Sequence, residues 1–183
     1  MKNNNDLAIN GGRPIRSKPM PPRHLIDIEE RKMVLEVLDE SIETGEAFRY
    51  SGKYERKYEK EFVNFMGVDG FADGVNSGTN ALFTALGALG IEPGSEIIVP
   101  AITDVGGVTP VIYQFLLPVM ADIDPRCYNI GAEQIEPLIN ENTKAIIVAH
   151  ISGEPAEMNP IIELAKKYDL FLLEDCSQSH GAE

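Results

Sequence analysis

The chain has 183 residues, 43% of them hydrophobic, enough for one ordinary domain with a sizeable core. Its 16 basic and 29 acidic residues leave a net charge of −13, which opposes nucleic acid and anionic membranes as partners, since both demand a basic footprint. The polar, Asn-rich start is unlike a secretory signal and no run approaches a membrane span, so a cytoplasmic protein with its two thiols reduced is expected. Cys, His and carboxylates do not recur at zinc-ligand spacing, so no metal is expected.

Residues 1–24 are polar and carry Pro14, Pro19, Pro21 and Pro22, which reads as an extended arm. Asp27-Ile28-Glu29-Glu30 is a capping box, an acidic N-cap with Glu three residues later. It opens a helix that runs to about Thr44 and stops at Gly45, with Met33, Val34, Val37 and Leu38 on its apolar stripe. Tyr54, Tyr58, Phe62 and Phe65 then recur at helical spacing and Gly67 ends that helix. The aromatic stripe is expected to be core.

From Phe71 onward short apolar runs alternate with helical stretches. The runs are 96–99, 118–123, 145–149 and 170–173; the helical stretches are 79–89, 108–115, 132–139 and 160–168. Asn159-Pro160 reads as an N-cap followed by proline at the first helical position. Strands alternating with helices predict an α/β fold with a largely parallel sheet.

Two motifs can carry chemistry. Asn76-Ser77-Gly78-Thr79-Asn80-Ala81-Leu82 opens a helix; Ser77 or Thr79 can cap it, and Gly78 lets an anion approach the backbone. Free N–H groups and the helix dipole suit such a turn to a phosphate, although an ordinary N-cap has the same appearance. No Gly-Lys-Ser/Thr follows, so it is not a Walker loop. The second motif is Glu174-Asp175-Cys176-Ser177-Gln178, where an apolar strand delivers an acidic pair.

In open α/β sheets ligands bind beyond the carboxyl ends of strands. A carboxylate at the edge of a core needs a cation to offset its desolvation. No Lys or Arg lies within ten residues after Leu170, so the partner of Asp175 is expected to be a ligand or a distant side chain. The plain alternative is a strand end with solvated carboxylates. One cofactor joins a phosphate to a ring nitrogen that wants a carboxylate: pyridoxal 5′-phosphate, whose protonated ring acts as an electron sink.

The chain resembles the DegT/DnrJ/EryC1/StrS sugar aminotransferases, from about Leu7 to the last residue. The residues that carry the resemblance are Ala8-Ile9-Asn10-Gly11-Gly12, Asn76 to Leu82, Ile91-Glu92-Pro93-Gly94-Ser95-Glu96-Ile97-Ile98-Val99-Pro100, Ala121-Asp122-Ile123-Asp124-Pro125, Thr143-Lys144-Ala145-Ile146-Ile147 and Glu174 to Ala182, in the family's order. The N-terminal arm looks most like members that aminate keto-cyclitols such as scyllo-inosose.

The resemblance implies the large domain of the aspartate-aminotransferase-like fold (fold type I of the pyridoxal-phosphate enzymes), its N-terminal part over residues 25–183. It implies pyridoxal phosphate, with Gly78 and Thr79 at the phosphate, Asp175 at the pyridine nitrogen and Gln178 near the phenolic oxygen. It further implies transfer of an amino group from glutamate or glutamine to a keto-cyclitol or nucleotide-linked keto-sugar, in a homodimer. His150, at a strand end, is expected to support the site or the core rather than to react; Cys176 is expected to pack inside as a small thiol, and Glu174 to be structural.

Two positions depart from the family pattern. Asp104 stands where many relatives stack an aromatic ring on the cofactor. The Schiff-base lysine of the family lies C-terminal to the Glu-Asp…Gln motif, beyond the last residue given. The expectation is therefore the N-terminal half of a longer aminotransferase, inactive alone. The rivals are a non-catalytic relic of the fold acting in binding or assembly, and a dehydratase of the same family with histidine in place of the lysine.

Overall fold

A computed structural model describes residues 7–22 and 25–182. The opening residues of the expected arm and Arg23-His24 lie outside them. The chain divides into two compact units, residues 1–56 and 57–183.

In the first unit, a 3-10 turn at Ala8–Asn10 ends on Gly11, whose φ of +89° suits a residue without a Cβ. Helix α1 spans Ile28–Thr44. Asp27 accepts from Glu29 N at 2.9 Å and Glu30 accepts from Asp27 N at 2.8 Å, so the capping box forms as read, and Gly45 closes the helix in the left-handed region. Helix α2 spans Lys53–Met66 and straddles the boundary between the units. At its start Tyr54 donates to Glu40 at 2.6 Å and Lys53 reaches the same carboxylate at 2.9 Å.

The aromatic stripe of α2 is not core. Tyr58 is 61% and Phe65 69% exposed; Tyr58 stacks on Phe62 with ring centroids 5.9 Å apart. On α1, Met33, Val34 and Leu38 are exposed too. Helical periodicity identifies which face is apolar, but not whether the same stretch of chain supplies the surface that covers it.

The second unit is built on a four-stranded parallel sheet. Its strands are β1 (Glu96–Pro100), β2 (Leu117–Ala121), β3 (Thr143–Ala149) and β4 (Phe171–Asp175), in the order β2-β1-β3-β4. The two central strands are buried on both faces, which is why they read as unbroken apolar runs. Ile97, Val99, Ala145 and Ile147 pack on one face with Leu82 and Leu86 of α3 (Gly78–Ala88) and Val111 of α4 (Thr109–Tyr113). Ile98, Ile146 and Val148 pack on the other with Ile135 of α5 (Ala132–Ile135) and Ile161, Leu164 and Ala165 of α6 (Met158–Tyr168).

Three of the departures from the sequence reading have a local cause. The second strand starts at Leu117 and ends at Ala121, because Asp122 and the Asp124 turn leave the sheet. The stretch 132–139 is one α-helical turn followed by a 3-10 turn over Glu136–Leu138, since Pro137 has no N–H to continue the ladder. Helix α6 begins at Met158, so Asn159 is not its cap; Pro160 sits in the first turn, where a missing N–H costs nothing.

The chain leaves β1 towards β2 on one side and leaves β3 towards β4 on the other. The crevice between the carboxyl ends of β1 and β3 is therefore a topological switch point, the default ligand position in an open parallel sheet. No helix of the described residues is long and apolar enough to cross a membrane.

Candidate functional site

A cleft of about 290 Å³ opens at that switch point. Four segments supply it: the start of α3, the loop after β1, the loop after β3 and the turn after β4. The structure brings Gly78, Thr79, Asp104, Asp175 and Gln178 together around it, from positions far apart in the sequence.

Ser77, rather than Thr79, caps α3: its Oγ accepts from Asn80 N at 3.2 Å. The cap leaves the N–H groups of Gly78 and Thr79 without an acceptor among the described residues, at the positive end of an eleven-residue helix. The glycine positions are steric requirements. A Cβ on Gly78 would lie 3.1 Å from Ser177 Oγ, one on Gly106 would lie 2.3 Å from Thr79 Oγ1, and one on Gly107 2.8 Å from Thr103 Oγ1. The loop after β1 thus comes against α3 because its glycines carry no side chain. Asp104 caps the 3-10 turn Val105–Gly107 by accepting from Gly106 N at 2.8 Å, so its carboxylate shapes this loop.

Asp175 ends β4, paired with Ala149 of β3. Its Oδ1 accepts from Ser177 N at 3.1 Å and Ser177 Oγ at 2.5 Å. Among the described residues no cation pairs with it. Gln178 accepts through Oε1 from Ser152 N at 2.7 Å.

His150, 5% exposed, is held at both ring nitrogens. Ala156 N donates to Nδ1 at 3.1 Å, which requires a lone pair there; in the neutral ring Nε2 then carries the hydrogen and donates it to Glu174 at 3.1 Å. This is the supporting role expected of both residues.

His150, Glu174 and Cys176 bring their potential ligand atoms within 4.8 Å of one another. Sequence spacing did not reveal this cluster, because parallel pairing sets Val148 opposite Glu174. With both imidazole nitrogens engaged, His150 and Glu174 form a hydrogen-bonded pair beside the Cys176 thiol, which is pushed up by burial and by the Glu174 charge and so stays neutral. Cys176 is half-buried rather than fully inside.

Sequence reasoning missed Thr103, the Gly106-Gly107 pair, Ser152 and Ser177. A Gly-Gly pair shortly after a buried strand was the one visible signal, marking a close backbone approach.

The model of the DegT/DnrJ/EryC1/StrS aminotransferase family matches residues 26–183. GDP-perosamine synthase from Caulobacter vibrioides is 38% identical over 157 residues, covering 86% of this chain and 41% of that protein. L-glutamine:2-deoxy-scyllo-inosose aminotransferase from Streptomyces lividus is 35% identical over 179 residues, covering 96% of this chain and 42% of that protein. The chain thus spans about two-fifths of the length of these relatives.

Among solved structures, NtdA from Bacillus subtilis with bound cofactor PMP superposes with a TM-score of 0.79 at 32% identity, covering 92% of this chain and 38% of that one. GDP-4-keto-6-deoxy-D-mannose-3-dehydratase from E. coli with bound hydrated PLP gives 0.73 at 29%, covering 82% and 38%. The cofactor of the family is pyridoxal phosphate. With its parallel α/β sheet, its switch-point cleft and a match over nearly its whole length, the chain belongs to the DegT/DnrJ/EryC1/StrS aminotransferase family.

Proposed function

We propose that residues 25–183 form part of the large domain of a pyridoxal-phosphate-dependent aminotransferase that moves an amino group from glutamate or glutamine to a keto-cyclitol or nucleotide-linked keto-sugar. The observation that carries this reading is the meeting, in one cleft, of an open helix N-terminus at Gly78-Thr79 and the strand-end carboxylate of Asp175. The donor set fits the cofactor: N–H groups and the helix dipole for a dianionic phosphate, a carboxylate without a protein cation for a ring nitrogen, and an amide for a ring oxygen. Added Cβ atoms at Gly78 and Gly106 would crowd the cradle.

When bound, the cofactor supplies an electron sink for cleavage of a bond at the amino-bearing carbon. The protein's residues bind and orient it. Gly78 and Thr79 hold the phosphate; Asp175 keeps the ring nitrogen protonated; Gln178 donates to the ring oxygen. Ser177, by donating twice to Asp175 Oδ1, fixes the carboxylate and leaves Oδ2 to the ring. Asp104 shapes the loop after β1 through Gly106 N and borders the cleft.

The test is Asp175→Asn in the intact protein. An amide cannot hold the ring proton, and loss of a charge-assisted bond costs roughly 1.5–3 kcal/mol. Glutamate-dependent amination of a keto-cyclitol should collapse and the cofactor absorbance should shift, with the unfolding midpoint retained. Activity and spectrum both at the parent level would refute the assignment. A second reading, dehydration of the keto-sugar, is supported by the structural likeness to a dehydratase; a deoxy rather than an amino product would select it.

A further inference from the structure

Among the described residues Asn129 is the one polar residue with no exposed surface, and it lies outside the cleft. Its side chain is fully used. Nδ2 donates to Glu154 O at 2.8 Å, and Oδ1 accepts from Ile151 N at 2.9 Å. Both partners belong to the loop after β3, whose backbone is unusual: Ser152 has φ +58° and Gly153 φ +82°. Ser between two clamped residues is thereby held in a conformation that L residues seldom adopt. The same loop presents Ser152 N to Gln178 Oε1 at 2.7 Å, and a Cβ on Gly153 would lie 3.0 Å from Gln178 O. The loop and the Gln178 turn are in direct contact.

A carboxamide oriented by an N–H on its oxygen still has both hydrogens of its NH2 group to offer. Gln178 Nε2 has no acceptor among the described residues, and Gln178 borders the cleft. We infer that Asn129 is a positioning residue for the cofactor: by clamping Ile151 and Glu154 it fixes the Ser152 N–H, which sets the Gln178 amide as a hydrogen-bond donor to an anionic oxygen in the cleft. Without the clamp the loop relaxes from its left-handed turn, the amide is free to rotate by half a turn, and a carbonyl oxygen then faces the anion. The inference rests on the proposed role of Gln178 as a cofactor ligand.

The experiment is a double-mutant cycle in the intact protein: parent, Asn129→Ala, Gln178→Ala and the double variant. Cofactor-free protein is titrated with pyridoxal phosphate by absorbance, and hydrogen exchange of the Ser152 amide is followed in the same preparations. Asn129→Ala is expected to weaken pyridoxal phosphate about tenfold in the parent and hardly at all in the Gln178→Ala background, because coupled residues are non-additive. It should also accelerate Ser152 exchange by about tenfold while the β1 amides keep their protection.

Equal weakening in both backgrounds, or unchanged Ser152 exchange, overturns the inference and leaves the role of Gln178 standing. A Gln178→Ala variant with parental affinity overturns that role, and this inference with it. Should Asn129→Ala not fold, Asn129→Ser removes the carboxamide that bridges Ile151 and Glu154 while keeping a neutral polar group at the buried position, and it should give the same pattern with smaller changes.

Discussion

Gly106→Ala isolates the steric logic of the cleft. The backbone of Gly106 is not in the left-handed region, so alanine meets no conformational penalty there. The obstacle is contact: its Cβ would stand 2.3 Å from Thr79 Oγ1, a separation that non-bonded atoms do not reach, with Asp104 Oδ1 next at 3.1 Å and Thr79 Cβ at 3.5 Å. Either Thr79 rotates or the loop after β1 backs away from α3. Overpacking of this kind costs about 1–3 kcal/mol, and either response disturbs the backbone proposed to hold the phosphate.

Thr79→Ala removes the offending atom. In that background the nearest remaining atom is Asp104 Oδ1, at a distance that a small shift relieves, so Gly106→Ala should then cost less than ~1 kcal/mol. Chemical denaturation of the cofactor-free intact protein, carried round the four-variant cycle, reads both values. Equal costs in the presence and absence of the Thr79 side chain would show that the loop and α3 do not meet as described.

Other perturbations address charge. Asp124, held down to about 2 by the hydrogen bonds and charge of Arg126, contributes stability that is complete above the ordinary carboxylate value of 3.8 and is lost as the pH falls through 2. Arg126→Ala should therefore lower the unfolding midpoint at pH 6, by a small margin because the arginine is exposed. The gap from the parent should close as the pH falls from 4 towards 2; a gap that persists there would place the effect elsewhere. Tyr54, raised to about 12 chiefly by its hydrogen bond to Glu40, should titrate nearer 10 in Glu40→Gln when followed by ultraviolet absorbance.

What the sequence disclosed is local or doubly buried. The Asp27 capping box and the Gly45 and Gly67 stops are decided by residues within a turn of one another, so they could be read in place. The strands at Glu96 and Thr143 announced themselves because both faces are apolar. Gly78, Thr79, Asp175 and Gln178 stood out through motif and resemblance, and all four border one cleft.

What stayed hidden depends on register and on distant partners. His150 meets Glu174 through strand pairing, and Asn129 reaches Ile151 and Glu154 across intervening chain. No pattern of neighbours encodes such bonds. The aromatic face of α2 was misjudged for a related reason: periodicity reports a face and is silent about its cover.

The strand order β2-β1-β3-β4 also bears on the timing of folding. The floor of the cleft joins the start of α3 to the turn after β4, with Gly78 against Ser177. Closing loops of that span is entropically slow, and parallel pairings are rewarded only once closed. On a chain made from its N-terminus, the α3 amides are present early but have no opposite wall until β4 docks on β3. The cleft therefore has no second wall before that step, and ligand capture during refolding would serve as a clock for the docking of β4 on β3 rather than for the first pairing of β1 with its neighbours.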